Sequence, residues 1–280
     1  MKVKLFVAAA VIMCRALVQG QDYPLGVRAQ ALGGSGVAFA SDPEGQLLNP
    51  ALLAGLNGWG ATVFYSHPFG VREIALSSLC LRGQIDKFAC GGAIVRLAHE
   101  SFEDQLFQFS LARSFSFQKK SSSRTSHPAR LAFGLQAGVR EIGIPGYGKT
   151  HAVIVNFGTV ARLNEQLVWG ARLGNLFDAK IGAAREPLPR EMSLGISYIP
   201  KSITVFQFEV YKESDFPLEF RGGVEYRVLP PLSLRMGIGS SPDRLTFGMA
   251  LWLRFVVFHF AAFSHDDLGW TQQYAVTLRK

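Results

Sequence analysis

Three sets of residues in this sequence could do chemistry. They are a glycine-rich turn, a few cysteines and histidines, and a series of regularly spaced arginines. The turn Gly33-Gly34-Ser35-Gly36 could be taken for a phosphate-binding loop. It lacks the following lysine and the preceding strand of a βαβ unit, so nucleotide binding is not expected. Glycine here suits tight turning and close backbone approach. Cys80 and Cys90 have no nearby histidine pair and make no zinc site. They flank a hairpin centred near Ile85, and alternation would put both on one face with Arg82 and Arg96. A cross-strand disulfide is one option, although facing Cα positions in a ladder often suit a bridge poorly. Histidines 67, 99, 127, 151, 259 and 265 are scattered, without an HExxH or GxSxG pattern. His259 and Ser264 alone suggest a hydrolase pair, with no third partner, so no enzyme, metal or cofactor is expected.

The arginines carry more information. Arg130, Arg140, Arg162, Arg172, Arg221, Arg227 and Arg235, with Glu219 and Glu225, alternate with apolar residues. Guanidinium groups suit carboxylates and anionic head groups, so a cationic track is one reading. The other is that they pair with Glu219, Glu225 and neighbouring groups to fill and stiffen an interior.

The elements that must position them are strands. Leu131, Phe133, Leu135, Ala137 and Val139 face away from Arg130, Gly134, Gln136, Gly138 and Arg140. The same period of two recurs in Phe107–Phe117, Val153–Leu163, Leu218–Val228 and Leu232–Ile238. Fourteen segments are predicted, to within two: 59–66, 71–82, 87–98, 105–117, 129–140, 151–163, 167–174, 191–199, 202–212, 218–229, 232–239, 244–253, 255–263 and 270–279. Between them, short turns at 164–165, 200–201, 230–231 and 254 alternate with long loops at 141–150 and 175–190. That asymmetry is the habit of outer-membrane barrels, whose periplasmic turns are short. The basic segment 118–128 is the exception, and a solvated loop is its simplest reading.

Composition agrees. Charged residues are 18% of the chain, below the roughly 25% of a soluble domain. No apolar run after the N-terminus is long enough for a membrane helix. Residues 1–20 read as a signal peptide, with Lys2 and Lys4 before an apolar stretch from Leu5 to Cys14. Its removal would take the net charge from +8 to +5, and with no Lys/Arg run nucleic-acid binding is not expected. The fold class expected is all-β: a transmembrane antiparallel barrel over 59–280, with 21–58 as an N-terminal plug in its lumen. A soluble periplasmic β-protein is the alternative with the same alternation.

The plug reading rests on a stretch, Val27 to Leu56, that is neither a good strand nor a good amphipathic helix. Asp42 and Asn49 suit turn or helix caps, and Asn49-Pro50 would fix a bend. Arg28-Ala29, Ala31-Leu32-Gly33-Gly34, Val37-Ala38, Asp42 and Asn49-Pro50-Ala51 together resemble the N-terminus of the PorV/PorQ family, which is related in architecture to FadL-type outer-membrane transport proteins. Gly223 to Arg227, Pro230 to Gly239 and Leu268-Gly269 agree at the far end. The resemblance implies a fourteen-stranded barrel in the bacterial outer membrane with an N-terminal segment in its lumen. In FadL-like relatives that segment gates hydrophobic molecules; PorV-like relatives serve type IX secretion and receive exported proteins. Outer-membrane lipid, hydrophobic small molecules and secreted proteins are the partners implied. The ending Leu278-Arg279-Lys280 departs from the usual terminal aromatic residue.

Overall fold

The computed structural model describes residues 26–117, 129–241, 243–265 and 269–280. The expected signal peptide, the segment 118–128 and residues 266–268 of the last loop lie outside the described residues.

The described residues open with two four-residue helices, α1 (Val27–Gln30) and α2 (Gly45–Leu48), and a 3-10 turn, Pro50–Gly55. Sixteen strands follow: β1 (Gly60–His67), β2 (Ala75–Ile85), β3 (Phe88–His99), β4 (Phe102–Phe117), β5 (Ala129–Ile144), β6 (Gly148–Arg162), β7 (Leu167–Gly174), β8 (Lys180–Ile181), β9 (Glu186–Pro187), β10 (Glu191–Lys201), β11 (Thr204–Glu213), β12 (Glu219–Leu229), β13 (Leu232–Ser240), β14 (Asp243–Trp252), β15 (Val256–His265) and β16 (Gly269–Arg279). Fourteen close into one barrel, with β7 paired directly to β10 and β16 to β1. Every expected strand is present, with ends moved by at most four residues. β8 and β9 form a separate ribbon inside the 175–190 connection. At two residues each they have no period for a sequence reading to detect.

Closure follows from the alternation. A closed ladder satisfies every backbone group without an edge, as a membrane requires. The outward face is apolar along the whole circumference, including Val63, Phe107, Leu135, Val153, Leu194, Phe208, Met236, Phe247 and Val276. Cross-strand aromatic contacts run along it: Phe115 to Phe133 to Phe157, Tyr198 to Phe206 and Phe208 to Phe220. In water such a wall would be a continuous aggregation surface; in lipid it is the solvated one. Near the short-turn end, the outward Arg113 lies over the rings of Phe88 and Phe115, at 5.3 and 4.9 Å. That is how a long cationic side chain covers apolar surface while its head reaches the interface.

The alternation corrects two placements. In β3 the inward residues are Ala89, Gly91, Ala93, Val95 and Leu97, so Cys90 and Arg96 face outward. Cys80 is inward and opposite Ala93, whereas Cys90 is opposite Gly83. The two cysteines lie on opposite faces of the wall and are free. The hairpin turns at Asp86-Lys87, about one and a half residues from the centre assumed in the sequence, with Asp86 at φ 52. A shift of that size is enough to flip one strand's faces relative to the other.

The lipid-facing assignment is testable at mid-wall. Leu135→Arg should cost about 2–4 kcal/mol of barrel stability in phospholipid vesicles, read by urea titration. A cost near zero would mean that this face does not meet lipid.

Candidate functional site

The lumen holds residues 26–58, and most of them are buried. A four-residue helix has no stability of its own, so the wall must hold this segment. It does so first by shape. Inward glycines on eight strands, β3, β5, β6, β7, β10, β12, β13 and β14, leave space that the plug's backbone or side chains occupy. Gly134 lies against Pro50-Ala51, Gly158 against Asn49, Gly170 against Val37-Ala38, and Gly223 and Gly237 against Leu32-Gly33. A Cβ at Gly223 would come within 2.6 Å of the Leu32 Cα. Gly91 lies against Gln46 and Leu53, Gly195 against Val37, and Gly248 against Ala31. On the plug side, Gly33 and Gly34 turn with φ of 73° and 85°, a conformation that side chains disfavour. A Cβ at Gly36 would meet Leu48 at 2.6 Å.

Hydrogen bonds then fix the register. Glu209 accepts from the amides of Gly36 and Val37, both at 2.9 Å. Thr246 accepts from Gly33 N at 2.9 Å. The Asn49 amide group donates to Val37 O at 2.8 Å, Thr159 O at 3.1 Å and Ala171 O at 3.3 Å. Its oxygen accepts from Ala51 N at 3.0 Å, capping the 3-10 turn that Pro50 begins. Asn49 thus joins two parts of the plug to β6 and β7. Arg28 donates to Glu225 at 2.8 Å and to Phe39 O at 2.9 Å, and lies over the Phe39 ring. Glu44, two residues after Asp42, accepts from Val27 N at 3.1 Å. Asp42 is buried and its carbonyl accepts from Gly45 N at 3.1 Å, a turn contact.

The arginines divide into two groups. Arg140, Arg172, Arg221 and Arg235 are inward and ion-paired: Arg140 with Asp104 at 2.6 Å, Arg172 with Glu191, Arg221 with Glu219 at 2.7 Å, and Arg235 with Glu225 at 3.2 Å. Arg221 also stacks 3.7 Å over Tyr211 and faces Glu209 at 3.8 Å. Glu225 is shared by Arg28 and Arg235, and Glu219 by Arg221 and Arg244. Arg130, Arg162 and Arg227 face inward only at the short-turn rim, where Arg162 reaches Glu165 O and Arg227 lies over Trp252. Carboxylates interrupt the inward guanidiniums, so the pairing reading fits and a continuous cationic track does not. Removing one partner of such a buried pair strands the other charge.

Several contributors escaped the sequence reading: Asp104, Glu191, Glu209, Arg244, Thr246 and the pairing role of His259. Period two through β11 and β14 was enough to put Glu209, Arg244 and Thr246 inside. His259 sits buried between Arg235, at 3.3 Å, and Thr277, at 3.1 Å. Ser264 is on the outward face of the same strand, five residues on, so the two form no hydrolytic pair.

One patch of the lumen wall is apolar. Phe64, Leu76, Val95, Leu97, Ala261 and Ala275 form one cluster with Val27 and Ala31 of the plug, flanked by Ile74, Phe102 and Leu106. The 175–190 connection also turns inward. Ile181 and Leu188 bury against Ala152, beside Ile142 and Ile154, and Asn175 donates to Leu188 O at 2.9 Å. It was expected as a long surface loop; a buried face on β8 and its flank makes it a cover over part of the loop end.

No model of a known protein family matches the chain, and no curated protein matches its sequence. Solved structures match its fold. The CymD monoaromatic hydrocarbon channel aligns with a TM-score of 0.64 at 13% identity, over 92% of this chain and 99% of that one. The Ralstonia pickettii toluene transporter TbuX gives 0.61 at 13%, over 91% and 98%. A Pseudomonas aeruginosa FadL homologue gives 0.52 at 12%, over 90% and 97%. The architecture is that of FadL-like outer-membrane barrels, while none of these structures bears on the PorV/PorQ resemblance.

Two outcomes test the fit of plug and wall. Gly237→Val should leave a barrel that still migrates as a folded, heat-modifiable species, but with residues 26–58 open to protease and raised conductance in planar bilayers. Gly92→Val, where an added side chain meets nothing within 4 Å, should match the wild type. Deleting residues 26–56 should raise conductance further; unchanged conductance would show that the segment is not the seal. Separately, Glu225→Ala should cost about 3–5 kcal/mol in chemical unfolding, because it leaves Arg28 and Arg235 buried without their shared carboxylate.

Proposed function

We propose that this chain is a non-enzymatic outer-membrane barrel that passes hydrophobic or amphipathic small molecules through a plugged lumen. The observation that carries the reading is an apolar patch of the lumen, Phe64, Leu76, Val95 and Leu97, packed on Val27 and Ala31. A water-filled pore lines its interior with polar groups; this patch would instead favour an apolar solute. The likeness to proteins described as a monoaromatic hydrocarbon channel and a toluene transporter supports the same solute class. Cells carrying the protein should take up a radiolabelled monoaromatic hydrocarbon several-fold faster than cells without it. Leu97→Asn should remove most of that gain while the assembled barrel persists in the outer membrane. Uptake equal to the vector control would sink the proposal.

A second reading is a barrel of the PorV/PorQ kind that receives exported proteins at the cell surface. It draws on the resemblance in the plug and on two aromatic side chains at the loop end, Tyr147 and Phe177, that are 70% and 77% exposed. The comparisons lend it no support. Replacing both aromatics with serine separates the two readings: a transporter keeps hydrocarbon uptake, whereas a secretion component loses surface delivery of cargo.

A further inference from the structure

At the short-turn end, between the plug and the barrel mouth, lies a recess of about 530 Å3. Four cationic side chains line it, Arg82, Arg254, Arg279 and Lys280, and Asp42 is the one carboxylate residue among its lining. None of the four cations is ion-paired with a described residue. Arg82 is the informative one. It is only 5% exposed, it donates one bond to Leu56 O, and its Nε and a second terminal nitrogen have no partner. A buried guanidinium with open donors carries a desolvation cost that an anion in the recess would offset. Arg279 lies 4.6 Å over Trp252 and Arg254 lies 4.8 Å over Phe255, so both planar groups are held by rings at the same mouth. The rest of the buried charge in the lumen behaves differently, because its arginines face carboxylates.

We propose that this recess binds a phosphate-type oxyanion, with the head group of an anionic phospholipid as its source. Arg82 supplies donors from the buried wall, and Arg254, Arg279 and Lys280 close over the anion from the rim. The lipid source follows from the flanking surface. Trp59, Leu253 and Phe255, at the ends of β1, β14 and β15, are half exposed, an apolar shoulder on which acyl chains would lie. Arg suits such oxygens through its paired donors, and surface cations of this kind attract anionic lipid in an additive manner. The inference does not rest on the transport reading, since it concerns the mouth and not the lumen.

The test uses the whole protein in neutral detergent, with phosphatidylglycerol and phosphatidylcholine compared by native mass spectrometry. Retained phosphatidylglycerol should clearly exceed retained phosphatidylcholine. Arg254→Gln, at an exposed turn, should weaken that retention about fivefold, and Arg82→Gln with Arg254→Gln and Arg279→Gln on the order of a hundredfold. Heat-modifiable mobility checks that each variant is folded, and Arg254→Gln alone decides the case if the triple variant does not assemble. Inorganic phosphate distinguishes the sources: its failure to displace phosphatidylglycerol supports the lipid, and displacement at millimolar concentration supports the oxyanion site with a soluble ligand. Equal retention of both lipids, or retention unchanged by Arg254→Gln, would overturn the proposal.

Discussion

The structure depends on one steric constraint: a fourteen-stranded barrel is too wide for its own side chains to fill. Around eight strands the inward side chains suffice, and at sixteen an aqueous channel is left. Between those limits the lumen must either hold water or take in a piece of chain. This chain does the second, and the wall glycines show how. Where Gly134, Gly170, Gly223 and Gly237 remove side chains, plug backbone lies directly on strand backbone, and at Gly158 the Asn49 side chain does. The fit is complementary at the level of single methyl groups, which makes plug and wall one packed object and not a loose stopper.

Packing backbone into a lumen creates a second demand, because the plug has little regular structure to satisfy its own amides. The wall supplies the missing partners. Glu209 takes two consecutive amides, Thr246 a third, and Asn49 and Gln46 turn their own side chains back onto strand carbonyls. Charge follows the same logic. Glu219 and Glu225 each serve two guanidiniums, and one of the four, Arg28, belongs to the plug. Such pairs in a dry interior add little net stability over apolar packing, but their geometry is unforgiving, and they specify which surface of the plug faces which strand.

Much of this was legible in the sequence, and the physical reason is period two. Alternation placed all fourteen strands and put the named arginines on the lumenal side. It failed where the parity of the register decides the answer, as with Cys90 and Arg96 beyond the Asp86-Lys87 turn. The plug was legible as a stretch lacking either period, and Asn49-Pro50 as a bend. Its partners were not, because Gly237 meets Leu32 and Gly33 only after the barrel's fourteen ladders have set its stagger. The inward fold of 175–190 was hidden for a related reason: Ile181 and Leu188 are isolated apolar residues in a polar stretch, and their shared burial site on β6 exists only in three dimensions.

Two parts of the lumen wall hold the plug by different forces, and that difference bears on how anything could pass. Toward β11–β14 the contacts are ion pairs and hydrogen bonds from Glu209, Arg221, Glu225 and Thr246. Breaking them exposes buried charge, at several kcal/mol for each stranded group. Toward the loop-end parts of β1, β2, β3 and β15, Val27 and Ala31 meet Phe64, Leu76, Val95, Leu97 and Ala261 through van der Waals contact alone. An apolar solute entering there replaces one apolar neighbour with another and leaves no polar group unpaired. A path that keeps the plug's latches closed therefore has to run along the apolar side, between Val27 and the β1–β3 wall.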